Sequence, residues 1–193
     1  MKKSTRNVLL AVLLCVAAIV TASVFATLAY FTDTQTVTNT FTVGNVSITM
    51  DEAKVTEYGE EIPGADRVTE NSYKLIPGQT YVKDPTIHVA RGSEKCWLFV
   101  KVENGLASVE STIAAQLAQI GWVPVAGETN VYVYPIHVAG GNYPVFRSFT
   151  VDENADADAL NAVKDASIVI TAYAVQAAGL DTVEEAWAAA KNA

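Results

Sequence analysis

Residues 167–176 read Ser167-Ile168-Val169-Ile170-Thr171-Ala172-Tyr173-Ala174-Val175-Gln176. β-Branched and aromatic side chains dominate this stretch, and their crowded Cβ atoms pack best on an extended, pleated backbone. It is the strongest strand signal in the chain, and its neighbours repeat the theme. Upstream, Val46-Ser47-Ile48-Thr49-Met50 alternates, with Val46, Ile48 and Met50 on one face and Ser47 and Thr49 on the other, the pattern of a half-buried strand. Lys95 to Glu103 sets Trp97, Phe99, Lys101 and Glu103 against Leu98, Val100 and Val102. This is expected to be a central strand whose aromatic face meets core or another subunit.

Turn residues punctuate the strands. Pro77-Gly78 is a tight-turn signal, followed by a strand over Thr80–Val89 that Pro85 interrupts; a residue without an N–H suits an edge or a bulge. Trp122–Val125 and Asn130–Tyr134 read as two strands joined through Ala126–Thr129. Gly140-Gly141 turns the chain into a further strand over Tyr143–Val151. Residues 51–72 are acidic and irregular, a loop with room for a short hairpin. The period changes to helical over Val109–Ile120, where Ile113, Leu117 and Ile120 share a face, and again over Asp152–Val163 behind an acidic start. The C-terminal segment 181–191 is a helix, with Asp181 or Thr182 as cap, Glu184 or Glu185 as reciprocal partner and Lys191 at the negative end of the dipole. Seven or eight short strands with turn signals between them predict a mainly β fold: a jelly-roll-like β-sandwich with a few short helices, following an N-terminal signal helix.

That signal helix is residues 1–29. Met1 to Asn7 is short and basic, Val8 to Phe25 carries no charge, and Ala26-Thr27-Leu28-Ala29 places small residues at −3 and −1. This is a secretory signal with its cut between Ala29 and Tyr30. The alternative is an uncleaved membrane anchor, since the apolar run approaches the roughly 18–20 residues that span a bilayer. A lipidated Cys15 is rejected because Leu14 stands where a small residue is required. Removal of residues 1–29, which hold Lys2, Lys3 and Arg6 and no acid, takes the formal charge from −8 to −11. So acidic a chain has no electrostatic reason to seek nucleic acid or anionic lipid. It keeps one cysteine, Cys96, and therefore no internal disulfide; Cys96 lies in an apolar run and is expected as a buried thiol.

Residues 30–40 form an extended arm ahead of the sandwich domain 41–193. Threonine alternates with other residues here, and Tyr30 to Asn39 holds few large apolar groups that could fix a register. Such a segment needs a partner, and Tyr30, Phe31, Thr32, Asp33, Thr34, Gln35, Thr36, Val37 and Thr38 are the candidate donor strand, with packing on its own domain as the alternative.

The junction Ala29-Tyr30-Phe31-Thr32-Asp33, followed by Phe41-Thr42-Val43-Gly44-Asn45-Val46, resembles the signature of the TasA/camelysin family. Leu75-Ile76-Pro77-Gly78-Gln79, Lys83-Asp84-Pro85-Thr86-Ile87 and Ile170–Gln176 are similar to later turns and strands of that family. The likeness is most specific over residues 20–50, weaker over 75–100 and 168–190, and slight over 104–165. It implies a secreted structural protein of Gram-positive bacteria, a jelly-roll subunit of biofilm-matrix or cell-surface fibres. Its leader would be cut by a dedicated signal peptidase of the SipW type. Its partners would be copies of itself, joined by donor-strand exchange, together with matrix or cell-surface proteins.

Camelysin-type relatives have been classed as metallopeptidases, which makes a secreted metallopeptidase the enzymatic alternative; an N-terminally anchored surface binding protein is the other. The residues favour no enzyme and no cofactor. His88 and His137 are the two histidines and no His-Glu-x-x-His occurs, whereas a zinc hydrolase needs three converging ligands and an open position. Both are expected as ordinary residues of apolar strands. Asp152 to Asp158 spaces oxygen ligands by two, yet Ala157 stands where a calcium loop needs glycine and Val163 where it needs glutamate, so a solvated helix start is expected. Asn45-Val46-Ser47 is a formal glycosylation sequon. No glycine-rich phosphate loop, basic stripe or internal repeat appears.

Overall fold

The structure is a computed structural model that describes residues 45–192. The expected class is found: these residues form a mainly β domain of antiparallel sheets with three short helices. In chain order the elements are β1 (Ile48–Asp51), β2 (Thr80–Val82), β3 (Thr86–Val89), β4 (Cys96–Asn104), α1 (Ile113–Ile120), β5 (Val123–Pro124), β6 (Val131–Val133), β7 (Gly141–Pro144), β8 (Ser148–Thr150), α2 (Ala157–Ala162), β9 (Ile168–Gln176) and α3 (Val183–Ala190).

One layer is built on a bent ribbon. β2 pairs with β8 and β3 with β7, and a single antiparallel register runs through both pairs. Thr80–Val89 and Tyr143–Val151 are therefore each one strand pinched in the middle; the interruption expected at Pro85 is found, whereas Tyr143–Val151 was expected to be continuous. The pinch lies at Lys83–Pro85 opposite Val145–Arg147, with Lys83 N–H bonded to the Arg147 carbonyl (3.1 Å) and Val145 N–H to that of Pro85 (2.8 Å). α1 supports the bend. The Gln116 amide donates to the Ser148 carbonyl at 2.7 Å and accepts from Arg147 N–H at 3.1 Å, serving backbone groups that the kink turns away from the ladder. β1 completes this layer on the far side of β3, and its expected alternation is observed: Val46, Ile48 and Met50 are half-buried, Ser47 and Thr49 exposed.

The other layer is a four-stranded sheet in the order β5-β6-β4-β9. β4 is central, as its pattern implies, and its two faces serve two cores. Leu98, Val100 and Val102 face the ribbon and join Ile87, Phe149, Trp122 and Leu117 in the main core. Phe99 faces the other way and is covered by α3 through Ala186, Trp187 and Ala190. The C-terminal helix thus packs on its own sheet. A capping box holds it, with Glu185 N–H on the Thr182 hydroxyl and Thr182 N–H on the Glu185 carboxylate. Trp97 donates its indole N–H to the Leu180 carbonyl at 3.1 Å, which fixes the approach.

Three sequence expectations shift in detail. The helix placed over Asp152–Val163 is confined to Ala157–Ala162, because Asp156 rather than Asp152 caps it, accepting from Ala159 N–H at 2.8 Å. The strand at Trp122–Val125 shortens to two residues, since Trp122 is drawn into the main core. His137 is not in a strand: it is exposed after β6, edge-on to Trp97 with ring centres 4.3 Å apart. Cys96 is buried as expected.

Candidate functional site

The two layers do not close on each other along one side, where β1 and β9 are both sheet edges. Between their facing stretches, Met50–Glu52 and Ile168–Ile170, runs a groove of about 790 Å³. Its apolar walls include Met50, Leu75, Phe149, Leu160, Ile168 and Ile170. The bank at Tyr73–Leu75 is held by an aromatic cluster: Tyr81 stacks on Phe149 at 4.9 Å, Tyr73 stands edge-on to both, and the Tyr81 hydroxyl donates to the Lys74 carbonyl while accepting Ile76 N–H. Gly59 permits this arrangement, for a Cβ there would lie 2.7 Å from the Tyr81 Cα.

β9 is the longer edge. Its pairing with β4 covers all nine residues, and the flanking bonds from Ala177 N–H to the Lys95 carbonyl and from Gly105 N–H to that of Ser167 fix the alternation. Odd-numbered residues bond to β4, so the N–H and C=O groups of Ile168, Ile170, Ala172, Ala174 and Gln176 point outward. Among the described residues no strand or bridge meets them. No residue of β9 is fully buried, and Val169 is 45% exposed. The other edges are short or guarded. β1 is closed at Glu52 by a bridge to Val68, β5 has two residues and a proline, β7 ends in proline, and the outer side of β2 meets the Gly59 carbonyl. β9 has no proline, charge or bulge of the kind that protects a natural edge.

The groove floor is polar. Lys83 and Glu52, with side chains 10% and 4% exposed, pair at 2.7 Å, and the second oxygen of Glu52 accepts from the Asn71 amide at 3.0 Å. Burial, reinforced by the negative charge of Glu52, pushes the Tyr73 hydroxyl well above its usual range.

Beside the groove a second polar network straps β1 to its sheet. Arg67 pairs with Asp51 and, at 2.9 Å, with Asp84. His88 on β3 reaches Asp51 on β1 at 2.9 Å through Nε2 and the Asn142 side-chain oxygen on β7 at 2.8 Å through Nδ1. With the Asn142 oxygen toward Nδ1 both ring nitrogens donate, as in the protonated imidazole; with that amide turned, Nδ1 accepts and Nε2 alone donates. Those two bonds, to Asp51 first and Asn142 second, raise the His88 pKa. Burial pushes the Asp51 carboxyl up, but hydrogen bonds from Arg67 and His88 outweigh it and hold the group below its usual range.

Among the described residues no group of three His, Cys, Asp or Glu side chains is placed to hold a metal ion. In the acidic run, Asp152 bonds to Asn154 and Asp156 caps α2. The expected cleavage junction Ala29/Tyr30 and the whole candidate donor strand, Tyr30 to Thr38, lie outside the described residues. What sequence reading missed is the position of the last strand: Ile168–Gln176 was legible as a strand, but its lying at an edge was not. No family model, no curated protein and no solved structure matches this chain.

Proposed function

We propose that the protein is a secreted structural subunit of extracellular fibres, and that its copies join by strand exchange after the leader is removed. The observation that carries this reading is the edge of β9, which no strand among the described residues covers: nine uncharged residues with five outward-facing backbone positions, beside a groove that interrupts the main core. A strand added there would gain main-chain hydrogen bonds and cover the half-exposed Ile168, Ile170, Ala172 and Ala174. The segment suited to it is the arm Tyr30–Thr38, rich in threonine and without a core of its own. Because the donor is one end of the chain and the acceptor lies elsewhere, each added copy presents a fresh acceptor, and such head-to-tail contacts extend into filaments. Main-chain bonding also lets a strongly acidic protein self-associate against its own charge. A chain beginning at Tyr30 is expected to polymerise and one beginning at Asn39 to remain monomeric, as followed by light scattering and electron microscopy. Equal filament formation by both would refute the exchange.

A further inference from the structure

Lys83 is unusual among the groove residues. Its ammonium has three N–H donors but, among the described residues, one partner, Glu52 at 2.7 Å. Its side chain is only 10% exposed, and it lines the groove. The Tyr73 ring centre lies 6.0 Å from Nζ, at the limit of a cation–π contact. Water entering the groove can serve the remaining donors, but an inserted strand displaces that water and must replace its hydrogen bonds or lose affinity. The occupant must therefore present oxygen acceptors above Lys83 and apolar groups to the flanking walls.

The arm has two faces, since strand side chains alternate. One is Tyr30, Thr32, Thr34, Thr36 and Thr38; the other is Phe31, Asp33, Gln35 and Val37. The second face places two acceptor-bearing side chains between two apolar ones, matching a floor whose polar centre is flanked by Met50, Leu75, Phe149 and Ile170. The candidate donor strand, Tyr30 to Thr38, has nine residues, the length of β9. We propose that the under-satisfied Lys83 ammonium sets the register of the inserted strand, taking side-chain oxygens from the Phe31–Asp33–Gln35–Val37 face of a second copy's arm. Lys83 is then a specificity-determining residue and the threonine face looks outward. A shift of one residue would turn the threonine face inward, offering Lys83 neutral hydroxyls in place of the Asp33 carboxylate and Gln35 amide, and no Phe31 or Val37 for the flanking walls. This assignment rests on the strand-exchange reading above.

The test measures binding of labelled peptides spanning residues 30–38 to the chain beginning at Tyr30, below its polymerising concentration. One peptide is native and the other carries Asp33→Leu and Gln35→Leu. The wild-type chain is expected to bind the native peptide at least tenfold more tightly. The double variant Lys83→Met/Glu52→Gln, which removes both charges together and leaves no buried ion unpaired, is expected to reverse that preference while keeping its melting temperature. Lys83→Arg is expected to retain it. The same peptide ratio on both floors, or no preference on the wild type, would overturn the role of Lys83; the wild-type ratio decides the matter even if the double variant fails to fold. A wild-type chain that binds neither peptide and forms no filaments would overturn strand exchange itself and this assignment with it.

Discussion

β4 and β9 are both nine residues long, lie side by side and pair along their whole length, yet they end in opposite circumstances. β4 contributes Cys96, Leu98, Phe99, Val100 and Val102 to the two cores, while β9 has no fully buried residue. The less covered strand is the more apolar one: β4 carries Lys101 and Glu103, and β9 carries no charge. Apolar composition alone therefore does not say which strand is central. Position in the sheet decides, and β9 is more apolar than its burial among the described residues requires, which is the feature the proposed strand exchange uses.

Substitutions that treat the strands, or the two edges of β9, differently sharpen this contrast. The largest effect is expected from proline on the β4 side of β9. Tyr173→Pro removes a ladder bond to β4 and the ring that packs on Trp187, and should cost about 3 kcal/mol or more in a denaturant titration. Ala172→Pro, one residue away, deletes an outward N–H and should cost under about 1 kcal/mol. Equal losses would break the assignment of edges. Next, Leu98→Ala in the covered strand should cost about 3 kcal/mol, within the range for buried leucines, and Ile170→Ala in β9 roughly half that, since its side chain is only half-buried. Thr182→Ala should destabilise by about 1 kcal/mol through loss of the capping box, and should loosen α3 over Phe99 and Tyr173.

The smallest effect is expected from pH. The folded pKa of His88 is raised above its unfolded value near 6.5. Its contribution is therefore fully present below that value and lost as pH rises through the folded pKa. Thermal melts should show a modest decline over this window that His88→Gln flattens. A decline that survives the substitution would place the titrating group elsewhere.

Much of the fold was readable from local pattern. Val46–Met50 alternates as it should, Ile113 and Leu117 bury the face that their spacing implies, and the pair Thr182/Glu185 starts the last helix. What escaped were relations between distant segments. Nothing within Thr80–Val89 or Tyr143–Val151 states that they pair as one pinched ribbon, because the partners lie some 60 residues apart. The aromatic face of β4 could be read as core or as interface until α3 was seen upon it. Lys83 looked like any strand lysine, and only the fold brings Glu52, Asn71 and Tyr73 around it. Of the candidate site, the sequence offered only the expectation of an arm over residues 30–38, which lies outside the described residues, while the edge of β9 and its groove emerged from the fold.

The proline pair supplies the most direct test of strand addition at β9. With the chain beginning at Tyr30, filament growth is to be followed for wild type and for Ala172→Pro, each first shown by a cooperative melting curve to be folded at the assay temperature. A folded Ala172→Pro protein that stays monomeric is the expected result. Filaments growing at the wild-type rate and concentration would contradict it, since the blocked edge could then not be where copies join.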